Sequence, residues 1–145
     1  MAAAPAYFDT SVLVKRYINE SGSLRAREML RRFRPVCSAI ACVEATSMLA
    51  RRWKSGEIPE PAVRAILNRL RDDRIQWEVI EVLPPVLARA ENMVFDMSIG
   101  TLDALHIASA LIVADERGRR LPFVTADDRQ RVAAARVNLE VVWVE

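Results

Sequence analysis

One histidine and two cysteines are all the nitrogen and sulfur metal ligands that this 145-residue chain offers. A structural zinc site takes about four such ligands, so none is expected. The lone His106 lies between apolar neighbours in a helical stretch, which disfavours Ser–His–Asp chemistry and marks it as a core residue or a support for a site. Cys37 and Cys42 sit in small, apolar company and read as buried, reduced thiols. Glycine and proline number only 4 and 7. With no Pro/Ser/Gly linker, internal repeat or low-complexity tract, residues 1–145 are expected to form one domain. No apolar run approaches the length of a bilayer span. The N-terminal stretch lacks a basic region and is interrupted by Pro5 and Asp9, unlike a signal peptide. A cytoplasmic protein with no membrane partner is expected. What the chain does have is a hydrophobic fraction of 52%, enough for a real core.

Net charge is only +2, but it is unevenly placed. Lys15 to Arg34 holds seven bases and two acids, and Arg51 to Arg74 seven bases and four acids. Lys15 and Lys54 are the only lysines; the remaining bases are arginines, whose planar fork suits bidentate phosphate contacts. Solvated faces of amphipathic helices would look the same, so the basic excess alone does not establish nucleic-acid binding.

Hydrophobic periodicity alternates between two kinds of element. Short strands are expected at Ala6–Phe8, Pro35–Ser38, Trp77–Leu83, Leu121–Thr125 and Leu139–Val144. Helices are expected over Thr10–Ile18, Ser23–Phe33, Ala41–Lys54, from Pro59 to about Arg74, from Pro84 to near Ser98, over Thr101–Glu116 and over Asp127–Arg136. Strands that are apolar without alternation, separated by helices, imply an α/β fold: a central parallel sheet flanked by helices on both faces. Such sheets bind ligands at the carboxyl ends of their strands.

Four acids fall at those ends. Asp9 follows the first strand and Asp127 the fourth; Glu44 lies in the first turns after the second, and Asp103 in the first turn of the helix opening at Thr101. Each has an ordinary explanation alone. Asp9 and Asp127 could be N-caps, the latter with Gln130 in capping-box position. Asp103 could complement a helix dipole behind a Thr101 cap, and Glu44 could be a solvated helix residue. Together they are harder to dismiss. Asp103 heads the row His106, Ile107, Ala110, Ala114, so its carboxylate shares a face with apolar residues. Carboxylates at the border of a core repel one another and lose solvation unless a cation neutralises them. An all-oxygen set suits Mg²⁺ or Mn²⁺, an ion able to activate water against a phosphodiester.

Phe8-Asp9-Thr10-Ser11 resembles the opening of PIN-domain nucleases, and Ser38-Ala-Ile-Ala-Cys-Val-Glu44 resembles their second motif. Thr101-Leu-Asp103-Ala-Leu-His-Ile-Ala108 is similar to their third, the most specific of the four, and Phe123-Val-Thr125-Ala-Asp127 to their fourth. Order and spacing fit along nearly the whole chain, and the length is similar to that of VapC-type toxins of toxin–antitoxin pairs. The resemblance implies a metal-dependent ribonuclease with Asp9, Asp103 and Asp127 around Mg²⁺ or Mn²⁺. Glu44 would hold a water on the ion or orient the site, Thr10 and Thr125 would support the carboxylates, and Asp128 could substitute for Asp127. It also implies a homodimer, an RNA substrate and a cognate VapB-type antitoxin. The helices around Val12–Phe33 and Met48–Leu70 are candidate surfaces for antitoxin or RNA.

Other readings fare worse. A phospho-signalling receiver needs a late lysine and an acceptor Asp after a middle strand, where Pro84 stands instead. A phosphatase with a second Asp two residues after its nucleophile fails at Ser11. A non-catalytic RNA- or partner-binding module on the same fold remains the alternative.

Overall fold

The computed structural model describes residues 2–145, so Met1 of the expected domain lies outside the described residues. Strand β1 (Pro5–Phe8) leads into α1 (Thr10–Lys15) and α2 (Ser23–Arg32). Then come β2 (Arg34–Ser38), α3 (Ala41–Lys54), α4 (Glu60–Asp73), a 3₁₀ turn (Arg74–Gln76) and β3 (Glu78–Ile80). The chain continues through α5 (Pro84–Met97), α6 (Thr101–Arg117), β4 (Phe123–Thr125), α7 (Asp128–Arg136) and β5 (Val141–Trp143). The five strands form one sheet in the order β3-β2-β1-β4-β5, and every pairing is parallel. The chain builds outward from β1 to β2 and β3, then crosses to the other side for β4 and β5. The strand order therefore reverses at β1, where a doubly wound sheet opens a crevice.

Alternation along the central strands explains why helices cover both faces. Tyr7, Val36 and Phe123 point into one core with Ile107, Ala108 and Leu111 of α6 and Val86 and Met93 of α5. Ala6, Phe8, Cys37 and Val124 point into the opposite one, against Val12 and Leu13 of α1 and Ala26 and Met29 of α2. Helix α6 is buried along most of its length, and its small residues Ala104, Ala108, Ala110 and Ala114 leave room for it beside the sheet. It stops at Gly118, whose φ of 66° is the left-handed conformation that glycine adopts freely. Gly22 is doubly required: its φ is +83°, and a Cβ there would lie 2.8 Å from the Val144 carbonyl oxygen.

All the expected helices and strands are present, and the differences lie at their ends. Helix α1 ends at Lys15 instead of Ile18. The N–H groups of Arg16 and Tyr17 bond back three residues, to the carbonyls of Leu13 and Val14, so the helix tightens and turns toward Gly22. The two edge strands shrink to Glu78–Ile80 and Val141–Trp143, and β4 to Phe123–Thr125. Glu78–Ile80 is bounded by the 3₁₀ turn on one side and by Leu83, which already caps α5, on the other. Helix α6 is capped by Gly100, not Thr101, and α7 starts at Asp128 with Asp127 as its cap.

Both cysteines are free; Cys37 is buried and Cys42 half-buried. Burial pushes the Cys37 thiol up to about 12, and only the thiolate reacts rapidly. Thiol titration of the native protein at pH 8 should therefore modify at most Cys42, with Cys37 appearing on denaturation; rapid native labelling of Cys37 would contradict this core.

Candidate active site

At the carboxyl ends of β1, β2 and β4 the chain encloses a cavity of about 720 Å³, and Asp9, Glu44, Asp103 and Asp127 all line it. Arg51 and Arg129 stand beside them in the same wall, with Val43 and Leu102 as apolar neighbours. The four acids come from four segments: the end of β1, the first turn of α3, the first turn of α6 and the cap of α7.

Asp9 is 2% exposed. As N-cap of α1 its Oδ1 accepts from the Val12 N–H at 3.4 Å and from the Ser11 hydroxyl at 2.5 Å, while Oδ2 accepts from the Thr125 hydroxyl. Those two hydroxyls also fix the loop after β4. The Ala126 N–H donates to Ser11 Oγ and the Asp127 N–H to Thr125 Oγ1, both at 3.0 Å. Capping and site formation are thus one arrangement. Burial raises the Asp9 carboxyl above its ordinary range; the His106 field and the hydrogen bonds from Ser11 and Thr125 pull against that, and the Asp127 charge adds to it.

Glu44 is half-buried and held from two directions. Its Oε1 accepts from Thr10 Oγ1 at 2.7 Å and lies 2.6 Å from His106 Nε2. Burial pushes this carboxyl up, but the hydrogen bonds from His106 and Thr10 outweigh it and hold Glu44 below the usual glutamate value. An ionised carboxylate only accepts, so Nε2 carries a proton. The other ring nitrogen, Nδ1, is 2.9 Å from the Tyr7 hydroxyl, and both Tyr7 and His106 are fully buried. His106 therefore links a core residue of β1 to a pocket acid, beyond the general support read from the sequence. Replacing it by Ala leaves the Tyr7 hydroxyl and one Glu44 oxygen without this partner, at about 1–3 kcal/mol each. Urea unfolding should show His106→Ala destabilised by several kcal/mol, with His106→Gln recovering part by restoring a donor to Glu44. Equal stability of His106→Ala and the parent would refute the link.

Asp103 is raised by burial and by the charges of Asp127 and Glu44, with Arg129 and His106 opposing. Its Oδ1 accepts from Gln130 Nε2 at 3.1 Å. Gln130 thus does not close a capping box; Asp127 caps α7 alone, accepting from the Arg129 N–H at 2.8 Å. The Arg129 guanidinium is 3.9 Å from Asp103 and 3.7 Å from Asp127, on a side chain that is 80% exposed. At that exposure the pairing is weak and easily displaced. Asp128 is exposed and pairs with Arg131, away from the cavity lining.

The donor set fits a hydrated, oxygen-seeking divalent cation. Among the described residues, no group of three or more His, Cys, Asp or Glu side chains is close enough together to hold a metal ion as it stands. The acids instead surround open space, as suits an ion that retains several waters. Gln130 adds a separate sign. It is 3% exposed, and its Oε1 is the one buried side-chain polar atom among the described residues without a hydrogen-bond partner. An orphan oxygen beside Asp103 is an acceptor for a water or an ion. Ser11 and Arg129 were not assigned roles by the sequence, and Gln130 was read only as a capping-box partner of Asp127; Ser11 stood inside the first motif, whereas Arg129 carried no signal beyond proximity to Asp127.

Comparison with curated proteins gives no match. Solved structures of the same fold include a toxin–antitoxin complex from Klebsiella pneumoniae, with 18% identity, a TM-score of 0.66, and coverage of 97% of this chain and 98% of that one. VapC20 of Mycobacterium tuberculosis, described as a sarcin–ricin loop cleaving toxin, is 16% identical with a TM-score of 0.67, over 88% of this chain and 94% of that one. FitAcB from Neisseria gonorrhoeae is 17% identical with a TM-score of 0.66, over 94% and 95%. These likenesses concern the fold; the sequence itself matches the family model of the PIN domain over residues 6–136. With that match covering nearly the whole chain, and the parallel sheet ordered as described, this protein belongs to the PIN-domain family.

Proposed function

We propose that this protein is a divalent-metal-dependent endoribonuclease, the toxin of a toxin–antitoxin pair, which hydrolyses RNA phosphodiester bonds in the pocket of the four acids. The observation that carries the reading is their meeting from four distant segments around one open cavity, with Asp9 and Asp103 raised by burial and by like charges. Side chains with perturbed carboxyls in a cleft mark functional sites. Asp9, Asp103 and Asp127 would hold Mg²⁺ or Mn²⁺, which when bound supplies Lewis acidity to the phosphodiester and to an attacking water. Glu44, kept ionised by His106 and Thr10, orients the attacking water. Ser11 and Thr125 fix the angle of Asp9, and Arg51 and Arg129 offer positive charge to the phosphate.

The choice of RNA and of a VapB-type antitoxin as partner rests on the motif resemblance and on the toxins among the structural neighbours. A homodimer working in the cytoplasm completes the proposal; no described helix is long and apolar enough to cross a membrane. Purified protein should cut a defined RNA in Mn²⁺ or Mg²⁺ and stop on addition of EDTA. Failure to cut with either ion, or cleavage indifferent to EDTA, would overturn the reading.

A non-catalytic binding module is the second reading, and the lodging of Arg129 between Asp103 and Asp127 favours it. Calorimetric titration with Mn²⁺ separates the two, because a binding module has no reason to take up metal in an acidic pocket.

A further inference from the structure

A second cleft, of about 250 Å³, is lined by Arg16, Arg27, Leu30, Arg31 and Arg69 and contains none of the pocket acids. Its four guanidiniums come from three parts of the chain: Arg16 caps the C-terminus of α1, Arg27 and Arg31 lie one turn apart on α2, and Arg69 is on α4. Like charges four residues apart on a helix are mildly destabilising, so the pairing of Arg27 with Arg31 does not by itself stabilise α2.

Three of the four arginines are also held in place. Arg27 Nε donates to the Arg16 carbonyl at 3.1 Å, and its Nη2 donates to the Ile18 carbonyl at 3.1 Å and to Asn19 Oδ1 at 2.7 Å. Arg16 and Arg69 both lie against the Tyr17 ring, at 5.8 and 5.3 Å from its centre. Only one carboxylate attends the group: Asp73, 3.6 Å from Arg16 Nε and already taking the Tyr17 hydroxyl at 2.7 Å. Among the described residues, Arg31 and Arg69 form no ion pair. Concave, preorganised and short of counter-charge, the cleft calls for an anion with several oxygens.

We propose that this cleft binds phosphate groups of a nucleic-acid backbone, outside the carboxylate pocket. The proposal rests on the nuclease reading in one respect, that a nucleic acid is what this chain engages. Helix α1 connects the two sites, with Asp9 at its start and Arg16 at its end, a span of about 10 Å at the helical rise per residue. That exceeds the Debye length of about 8 Å at physiological salt, so the cleft acts by direct contact with a backbone that reaches both places and not by its field at the pocket. Direct contacts to these guanidiniums would add binding that offsets the repulsion between four carboxylates and a polyanion.

The test uses protein carrying Asp9→Asn, in EDTA, so that nothing is cut. Binding of a fluorescein-labelled single-stranded RNA is followed by anisotropy over a range of salt. Adding Arg31→Gln and Arg69→Gln should weaken binding roughly tenfold at low salt and reduce the slope of log K against log salt by about 1.4, at about 0.7 per lost contact. A control with Arg74→Gln and Arg119→Gln, the same change in net charge elsewhere, should keep the parent slope. Arg31→Gln alone should give half the slope change if the double variant melts early. Equal affinity and slope in the double variant and its parent overturn the proposal. So does arginine-dependent binding of poly-glutamate without an effect on RNA, which assigns the cleft to an acidic protein. Submillimolar binding of inorganic phosphate, lost in the double variant while RNA binding is unchanged, overturns the nucleic-acid source. Because no turnover is read, a protein that cuts no RNA still answers this question, and a null result here leaves Asp9-dependent cleavage standing.

Discussion

Changing Asp103 to Asn is expected to lower single-turnover RNA cleavage by about a thousandfold, on the scale of the several kcal/mol a metal ion contributes to a phosphoryl transition state. The amide keeps the size of the side chain and can still meet Gln130, so the fold is expected to survive. What goes is one negative charge from the first turn of α6, where burial and the neighbouring acids already hold the carboxyl above its usual range. Asp9→Asn is expected to lose a similar factor for the same reason. Asp128→Asn provides the contrast, since that side chain is exposed against Arg131; its rate should stay within about twofold, as for an exposed pair of little energetic weight. Rates measured at saturating Mn²⁺, with melting curves for each variant, check this. An Asp103→Asn protein retaining a tenth of the parent rate, or an Asp128→Asn protein with the larger loss, would contradict the assignment.

Without metal, Asp9→Asn should melt above the parent at neutral pH. The Asp9 carboxyl is raised in the folded state above its unfolded value of 3.8. Its contribution is therefore favourable while it is protonated, below the unfolded value, and is lost as pH rises through the folded one. At neutral pH the parent carries that loss and Asp9→Asn does not, and the gap should close as the solution is acidified below the ordinary aspartate range. A divalent ion reverses the order. At about 100 times its dissociation constant a ligand of the folded state adds about 2.7 kcal/mol, and for a chain of this size each kcal/mol moves the midpoint by about 2–4 °C. Mn²⁺ should thus raise the melting temperature of the parent by about 5–10 °C and that of Asp9→Asn hardly at all. Scanning calorimetry with EDTA and with Mn²⁺ between pH 4 and 8 reads both effects. A parent that gains nothing from Mn²⁺, or an Asn variant that gains as much, would remove the metal from the account.

The positions of Asp9, Glu44, Asp103 and Asp127 were legible because each is fixed by local structure: a strand end or the first turn of a helix is visible in periodicity, and a parallel sheet gathers such points at one edge. The motif around Asp103 was the strongest signal, and its row His106, Ile107, Ala110, Ala114 is buried. Capping and site formation, weighed as rivals in the sequence, turn out to be compatible, since Asp9 and Asp127 both cap helices and face the cavity. The supporting contacts were not legible. Gln130 meets Asp103 across 27 residues, and Thr125 meets Asp9 across 116, distances over which a single sequence carries no register. The same holds for the arginine cleft. Charge counting found a basic excess over Lys15–Arg34 and Arg51–Arg74, but the convergence of Arg16, Arg27, Arg31 and Arg69 is a property of how α1, α2 and α4 pack. Strand order likewise follows from which faces are buried together.

The central claim is that the four-acid pocket cuts RNA, and mapping the 5′ ends of cellular RNA after brief expression of the parent and of Asp103→Asn, side by side, tests it most directly. The account predicts a discrete set of new ends with the parent and none with the variant at equal protein levels. No new ends with the parent, or the same ends with both proteins, would contradict it.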